Sequence, residues 1–293
     1  MTSAGPSSDL TPRRDLHSDL QSDLHDFSGR LVLVGAGNMG GALLQGWLRL
    51  GLDPNKLSVI EPQPSPHIAA LSRQGVQFNP AAAALREMNV AVIAVKPQSA
   101  VEALSPLASN LSPSTLVISI MAGRTLRFLG SSLPSVKALV RAMPNTPAAI
   151  GRGITVAVAS QADAAQRRLA QRLLGATGAV EWVDDEALMD AVTAVSGSGP
   201  AYVFLLAEAL AQAGTAVGLP AVLAERLAHE TIAGSGELLH RSRENAASLR
   251  QNVTSPGGTT AAALAILMRP DGLVRLMTEA IAAATARSRE LAG

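Results

Sequence analysis

The sequence predicts an α/β fold: an N-terminal domain built on a mainly parallel, doubly wound sheet, followed by an all-α C-terminal domain. Three observations predict it. From Arg30 to about Val183, short apolar runs alternate with helical patterns, the signature of βαβ units. After about Asp184 the strand signals stop, and the chain continues helical in period and rich in Ala and Leu. A glycine-rich turn, Gly35-Ala36-Gly37-Asn38-Met39-Gly40, leaves the first apolar run and opens a helix.

Leu31–Val34 is a short β-branched run and reads as the first strand. The helix after it runs from about Met39 to Leu50. Leu57–Ile60, Asn89–Val95 and Leu116–Ile120 read as the next strands, and Val136–Arg141, Ile154–Ala159 and Val180–Val183 as further ones. Helices fill the gaps. Ser65-Pro66, Asn79-Pro80 and Ser112-Pro113 pair a capping residue with proline and predict helix starts. Beyond Asp184 the breakers are Gly197-Ser198-Gly199-Pro200, Gly218-Leu219-Pro220, Pro256-Gly257-Gly258 and Arg269-Pro270-Asp271-Gly272. The expected division is therefore 1–28, a polar extension expected to be disordered; 29–184, the sheet domain; and 185–293, the helical domain. Asp-Leu recurs through the extension at Asp9-Leu10, Asp15-Leu16, Asp19-Leu20 and Asp23-Leu24, and no apolar segment follows a basic start. Ala187 to Leu219 is weakly charged but carries Asp190 and Glu208, and is expected to be a buried helical region rather than a membrane span.

Composition narrows the chemistry. The chain is 47% hydrophobic with only 2% aromatic residues, so its core must be built from Ala, Leu, Val and Ile. A net charge of +1 gives no electrostatic case for nucleic acid or an anionic membrane as partner. The absence of cysteine removes disulfides, thiolate nucleophiles and cysteine-ligated metals, and fits a reducing compartment. His17, His25, His67, His229 and His240 form no pair at metal-ligand spacing, so no metal is expected. Ser196-Gly197-Ser198-Gly199 lacks the preceding strand of a nucleophile elbow.

The glycine turn has the spacing and context of a dinucleotide fingerprint of Rossmann type. Gly35 permits the tight turn, Gly37 lets the backbone approach a pyrophosphate, and Gly40 lets helix pack close to strand. The helix N-terminus offers N–H groups and partial positive charge to phosphates. Glu61, at the end of the second strand, stands where such folds place a carboxylate for the adenosine ribose. It would repel a 2′-phosphate, and residues 61–67 contain no Arg or Lys, only His67. Taken alone this favours NAD over NADP; a solvated loop glutamate is the plainer reading. Ala94-Val95-Lys96-Pro97-Gln98 and Ile120-Met121-Ala122-Gly123 leave later strands at the end where open α/β sheets hold ligands. Lys96 suits a ribose or phosphate contact, or is simply a solvated loop lysine. In the helical half, Ser255-Pro256-Gly257-Gly258-Thr259-Thr260 precedes an Ala-Leu run, with Ser255 as candidate N-cap and Pro256 at the first helical position. Successive N–H groups and two hydroxyls suit an anion; on spacing alone, a plain interhelical turn explains the segment equally well.

Several segments taken together resemble the Δ1-pyrroline-5-carboxylate reductase family: VGAGNMG, AVKPQ, MPNTPAAIGRGIT, DAVTAVSGSGPAYVF and VTSPGGTTAAAL. The resemblance runs in order from about Arg30 to the C-terminus. It implies a nicotinamide-dependent enzyme of the last step of proline biosynthesis, a helical C-terminal dimerisation domain that interlocks with a second subunit, and, in several members, dimers assembled into decameric rings. It implies a cytoplasmic enzyme with a cyclic imine carboxylate as substrate. Cofactor residues carry over onto Gly35, Ala36, Gly37, Asn38, Met39, Asn79, Ala94, Val95, Lys96, Pro97, Met121 and Ala122, with Val34 and Gly40 completing the turn and Glu61 beside it. Substrate residues carry over onto Glu186, Asn252, Thr259 and Thr260, with Ser255, Gly257 and Gly258 shaping the same loop. Thr260 is the residue expected to meet the imine nitrogen, Glu186 to stabilise positive charge near it, and the N–H groups of Gly258, Thr259 and Thr260 to hold the substrate carboxylate. The polar extension and Glu61 depart from the family pattern: family habit leans to NADP, Glu61 to NAD. A reductase of a related cyclic imine is the alternative within the family, because ring size is set by cavity walls that the sequence does not display. A β-hydroxyacid dehydrogenase is a more distant rival: that class uses a lysine on a helix of its second domain, and no lysine stands from Asp184 onward.

Overall fold

A computed structural model describes residues 23–292. The Asp-Leu repeats before Asp23 lie outside the described residues. Among those described, 23–200 together with 281–292 form one compact unit, and Ala201–Ala280 form the other.

The first unit is built on an eight-stranded sheet: β1 Leu31–Val34, β2 Leu57–Ile60, β3 Gln77–Phe78, β4 Val90–Ile93, β5 Leu116–Ser119, β6 Leu139–Met143, β7 Gly153–Ser160 and β8 Gly178–Trp182. Their order across the sheet is β3-β2-β1-β4-β5-β6-β7-β8. Every neighbouring pair is parallel except β6 with β7. The helices are α1 Asn38–Arg49, α2 Pro66–Ala69, α3 Ala100–Ala108, α4 Leu126–Ser132, α5 Ala164–Leu174 and α6 Met189–Val192, and α7 Gly199–Ala216 begins here. Alternation along the central strands explains the two-faced core. Leu31, Leu33, Val90 and Val92 pack on one face against α1 and α5, around the fully buried Trp47. Val32, Val34, Ala91 and Ile93 pack on the other against α3 and α4. Trp47 donates its indole N–H to the Leu173 carbonyl at 2.8 Å, which satisfies the one polar atom that ring takes inside.

Three expectations about local structure are corrected. The described end of the extension, residues 23–28, is packed rather than disordered. Leu24 is fully buried and Phe27 is 6% exposed. The Leu24 N–H donates to the Leu50 carbonyl at 2.8 Å, and the Lys56 ammonium to the Phe27 carbonyl at 2.5 Å. Arg172 on α5 pairs with Asp26 and also donates to the Asp23 carbonyl. Secondly, of the three capping pairs only Ser65-Pro66 opens a helix. Asn79 instead takes a left-handed φ of 47° and uses its side chain elsewhere, and Ser112 closes a turn into β5 through the Thr115 N–H. Thirdly, Val136 and Ala138 precede β6, which runs on to Met143.

The second unit holds most of α7, then α8 Ala221–Arg241, α9 Ala246–Asn252, α10 Thr259–Leu267 and the start of α11 Leu273–Ala292. The expectation that 187–219 is buried is also corrected. No residue of α7 is buried in the single chain, and Phe204 and Leu205 are each more than 60% exposed. Within Glu186–Ala216 an 18-residue window reaches a mean hydropathy of 1.3, and by length and composition alone the helix is apolar enough to cross a membrane. An apolar helix this exposed must be covered by something other than its own chain. The end of α11 returns to the first unit, where the Ser288 hydroxyl donates to Asp190 on α6 at 2.7 Å.

Candidate functional site

β1 and β4 lie side by side, and the chain crosses the sheet in opposite directions from them. That is the switch point of a doubly wound sheet, where ligands sit beyond the strand ends. The glycine turn leaves β1 there and the Ala94–Pro97 segment leaves β4. A Cβ on Gly35, whose φ is +92°, would stand 2.9 Å from the Ala94 carbonyl and 3.0 Å from the Val95 side chain. A Cβ on Gly40 would stand 2.1 Å from the Gly35 carbonyl oxygen. Packing therefore demands both of these glycines.

Gly37 is different. It is exposed, its φ of −67° is open to any residue, and a Cβ there meets nothing within 4 Å. Nothing in the described protein requires glycine at this position, and the space in front of it is open. Gly37 is the N-cap of α1 and makes no side-chain cap, which leaves the first N–H groups of that helix facing open space. A pyrophosphate fits this cradle by charge and by room.

Around the turn, the Glu61 carboxylate accepts the Ala36 N–H at 3.0 Å through Oε2 and the Gln63 N–H at 3.1 Å through Oε1. Asn79 grips the Glu61 backbone from both sides: Oδ1 accepts the Glu61 N–H at 3.0 Å and Nδ2 donates to its carbonyl at 3.2 Å. Lys96 is exposed, and the Pro97 carbonyl accepts two hydrogen bonds from the Arg124 guanidinium at 2.8 and 3.2 Å. Arg124, which also lies 4.7 Å over the Phe128 ring, ties together the exits of β4 and β5. The Val34 and Met121 side chains are 2% exposed and belong to the core, so these residues face any ligand through backbone only. Ala122 is exposed beside Gly123, which has φ +70°.

Glu186 is engaged differently from expectation. Its Oε1 accepts the Leu126 N–H at 2.8 Å and the Arg141 guanidinium at 2.9 Å. Arg141 is only 5% exposed, so one charge that Glu186 balances is that of the buried Arg141, through Oε1. The sequence offered a signal that was passed over: an arginine inside the otherwise apolar strand LVRAM.

In the helical unit, Ser255 and Pro256 form a turn and do not open the helix. α10 begins at Thr259 with Gly258 as N-cap. The Gly258 N–H is used, donating to the Ser255 carbonyl at 3.1 Å. That corrects the three-donor picture: Thr259 and Thr260 supply the first-turn N–H groups of α10. Gly257 holds φ +71°, which permits the turn. Gly258 lies so close to Ser255 that a Cβ would sit 2.5 Å from its hydroxyl oxygen. Asn252 is exposed at the end of α9 and donates to the Glu244 carboxylate at 2.8 Å; sequence reading had not singled out Glu244.

Two family models match. One, described as NADP oxidoreductase coenzyme F420-dependent, covers residues 30–123. The other, described as pyrroline-5-carboxylate reductase dimerisation, covers 186–291. The pyrroline-5-carboxylate reductase of Pseudomonas aeruginosa is 39% identical over 267 residues, 90% of this chain and 97% of the relative. That of Arabidopsis thaliana is 35% identical over 90% of this chain and 96% of its own length. Among solved structures, a pyrroline-5-carboxylate reductase from Coxiella burnetii matches with TM-score 0.83 at 34% identity, covering 90% of this chain and 98% of that one. The Plasmodium falciparum pyrroline carboxylate reductase, solved with NADP bound, matches with TM-score 0.75 at 28% identity over 91% and 99%. Sheet order, glycine turn and helical second half thus define a nicotinamide-dependent oxidoreductase that associates with itself through its helices. The chain belongs to the pyrroline-5-carboxylate reductase family.

Proposed function

We propose that the chain reduces the C=N bond of Δ1-pyrroline-5-carboxylate to L-proline in the cytoplasm, with NADH or NADPH as donor. The observation that carries the substrate assignment is the loop Ser255–Thr260, in which Gly257 takes a left-handed φ of +71° and Gly258 caps a nine-residue helix whose first turn offers two threonines. Gly35–Gly40 would hold the dinucleotide's pyrophosphate, with Val34, Ala94, Val95, Lys96, Pro97, Met121 and Ala122 as the floor at the strand ends and Asn79 and Glu61 toward the ribose.

The nicotinamide, when bound, supplies the hydride that the imine carbon receives. The residues do the rest by holding the substrate in place. The Thr259 and Thr260 N–H groups take the substrate carboxylate at a positive helix end. The Thr260 hydroxyl meets the ring nitrogen. Because an imine can arrive already protonated, Thr260 orients before it donates. Asn252, held by Glu244, frames the same loop, and Glu186 acts at one remove by anchoring Arg141 and the start of α4.

Two copies associate through the α7 region, which a partner helix covers; no membrane is needed, and dimers of this kind build toward a decameric ring. Steady-state kinetics test the reading. Thr260→Ala is expected to lose kcat/KM for the imine by about 1 to 3 kcal/mol of transition-state binding, the worth of a neutral to charge-assisted hydrogen bond, with Thr260→Ser restoring most of it. Full kcat/KM in Thr260→Ala would remove Thr260 from the chemistry.

A further inference from the structure

We propose that Glu61, fixed in place by Asn79, selects NADH over NADPH in this enzyme; the inference rests on the oxidoreductase reading above and adds which nicotinamide the site takes. An ionised carboxylate has about four acceptor positions. Two are filled, by the N–H groups of Ala36 and Gln63, one on each oxygen. That leaves each oxygen able to accept one ribose hydroxyl. The bond to Ala36 also fixes where the carboxylate lies: on the second residue of the glycine turn, at the ribose end of the cradle.

A 2′-phosphate carries a charge near −2 and brings acceptors where the site already presents an acceptor. It would need a cation beside it. Residues 61–72 contain no Lys or Arg, and neither does the turn or α1 before Arg49. His67 is the sole candidate there, and its Nδ1 already faces the Ser65 hydroxyl at 3.2 Å. Pro62, Pro64 and Pro66 limit how far this segment can swing to bring another group in.

Asn79 is the positioning residue. Its amide spans the Glu61 peptide groups with both a donor and an acceptor, and its own N–H donates to the Val59 carbonyl at 2.7 Å. The strained φ of 47° is what turns the side chain back onto β2, and asparagine tolerates that conformation better than most residues. Asn79 thereby holds the last peptide of β2 and, through it, the carboxylate.

The test uses the full chain. Calorimetry measures binding of ADP-ribose and of its 2′-phosphate to the nucleotide-free protein, and kinetics measure imine reduction with NADH and NADPH. One carboxylate facing one phosphate across a half-exposed site predicts a preference of about tenfold to a hundredfold for the unphosphorylated nucleotide. Glu61→Gln keeps an acceptor for Ala36 but removes the charge, and should bring the two nucleotides close to parity. Asn79→Gly keeps the backbone conformation. It should raise KM for NADH with kcat little changed and leave KM for NADPH where it was, while Asn79→Asp, which retains the acceptor for the Glu61 N–H, recovers part of the loss. Equal or tighter binding of the 2′-phosphate by the unaltered protein overturns the proposal, as does an unchanged ratio in Glu61→Gln. If the binding preference holds but neither nicotinamide supports imine reduction, the cofactor inference stands and the substrate assignment falls.

Discussion

Replacing Gly37 by valine separates a structural glycine from a ligand-binding one. The site for a new Cβ is empty to 4 Å and the backbone is ordinary, so the folded chain has room for the side chain. The cost in stability is that of a poorer N-cap, about 1 kcal/mol, or roughly 2–4 °C in Tm for a domain of this size. Binding suffers far more. A branched side chain standing in front of the first turn of α1 displaces the pyrophosphate from at least two N–H donors. Hydrogen bonds to charged groups contribute about 1.5–3 kcal/mol each, so the expected loss is about 3–6 kcal/mol, or roughly 10²- to 10⁴-fold in Kd. Gly40→Val is the contrasting variant: with a Cβ 2.1 Å from the Gly35 carbonyl oxygen it should fail to fold properly at all. Calorimetric titration with NADH beside a thermal melt reads both quantities. A folded Gly37→Val protein that binds NADH with unaltered affinity would refute the reasoning.

Further tests address other parts of the molecule. Phe27→Ala should cost about 3–5 kcal/mol in denaturant unfolding; a loss under about 1 kcal/mol would mean that Phe27 does not anchor the core. The Arg172 guanidinium beside Asp26 holds that carboxyl below its ordinary pKa. A depressed folded-state pKa contributes stability above the unfolded value and loses it as pH falls through the folded one. Asp26→Asn should therefore flatten the fall of Tm below about pH 4, and an unchanged acid limb would count against the pair. Phe204→Glu puts a charge on the exposed face of α7 and should shift the chain toward monomer in light scattering, with a loss of Tm; an unaltered mass at low concentration would show that this face is not the one covered.

Much of this was legible in the sequence because it is local. The strand runs, the glycine turn and the breakers each declare themselves within a few residues, and the sheet order follows from right-handed crossovers once those are placed. What escaped depends on contacts far apart in the chain. Leu24 and Phe27 sit among polar neighbours and show no period, yet both join the buried cluster around Trp47. Asn79-Pro80 has the look of a helix cap, but the carbonyl and N–H it serves belong to Glu61, 18 residues earlier. β3 has two residues, too few for any alternation to register. The pairing of Glu186 with Arg141 was not legible either, because Arg141 lies 45 residues away on β6. The exposure of α7 escapes for a related reason: its apolar sequence declares burial, but not which chain does the burying.

The bond between Ser288 and Asp190 sets a condition on synthesis. The sheet unit is discontinuous: its closing piece, 281–292, follows the whole of Ala201–Ala280. At about 5–20 residues per second, the ribosome takes roughly 4–16 seconds to make the intervening segment. Throughout that interval the nascent sheet unit lacks the last roughly three turns of α11, while the apolar and exposed α7 is the first part of the intervening segment to be made. Such a chain is in greatest need of a chaperone just before it is finished, and a fragment ending at residue 200 would carry that unfinished state permanently.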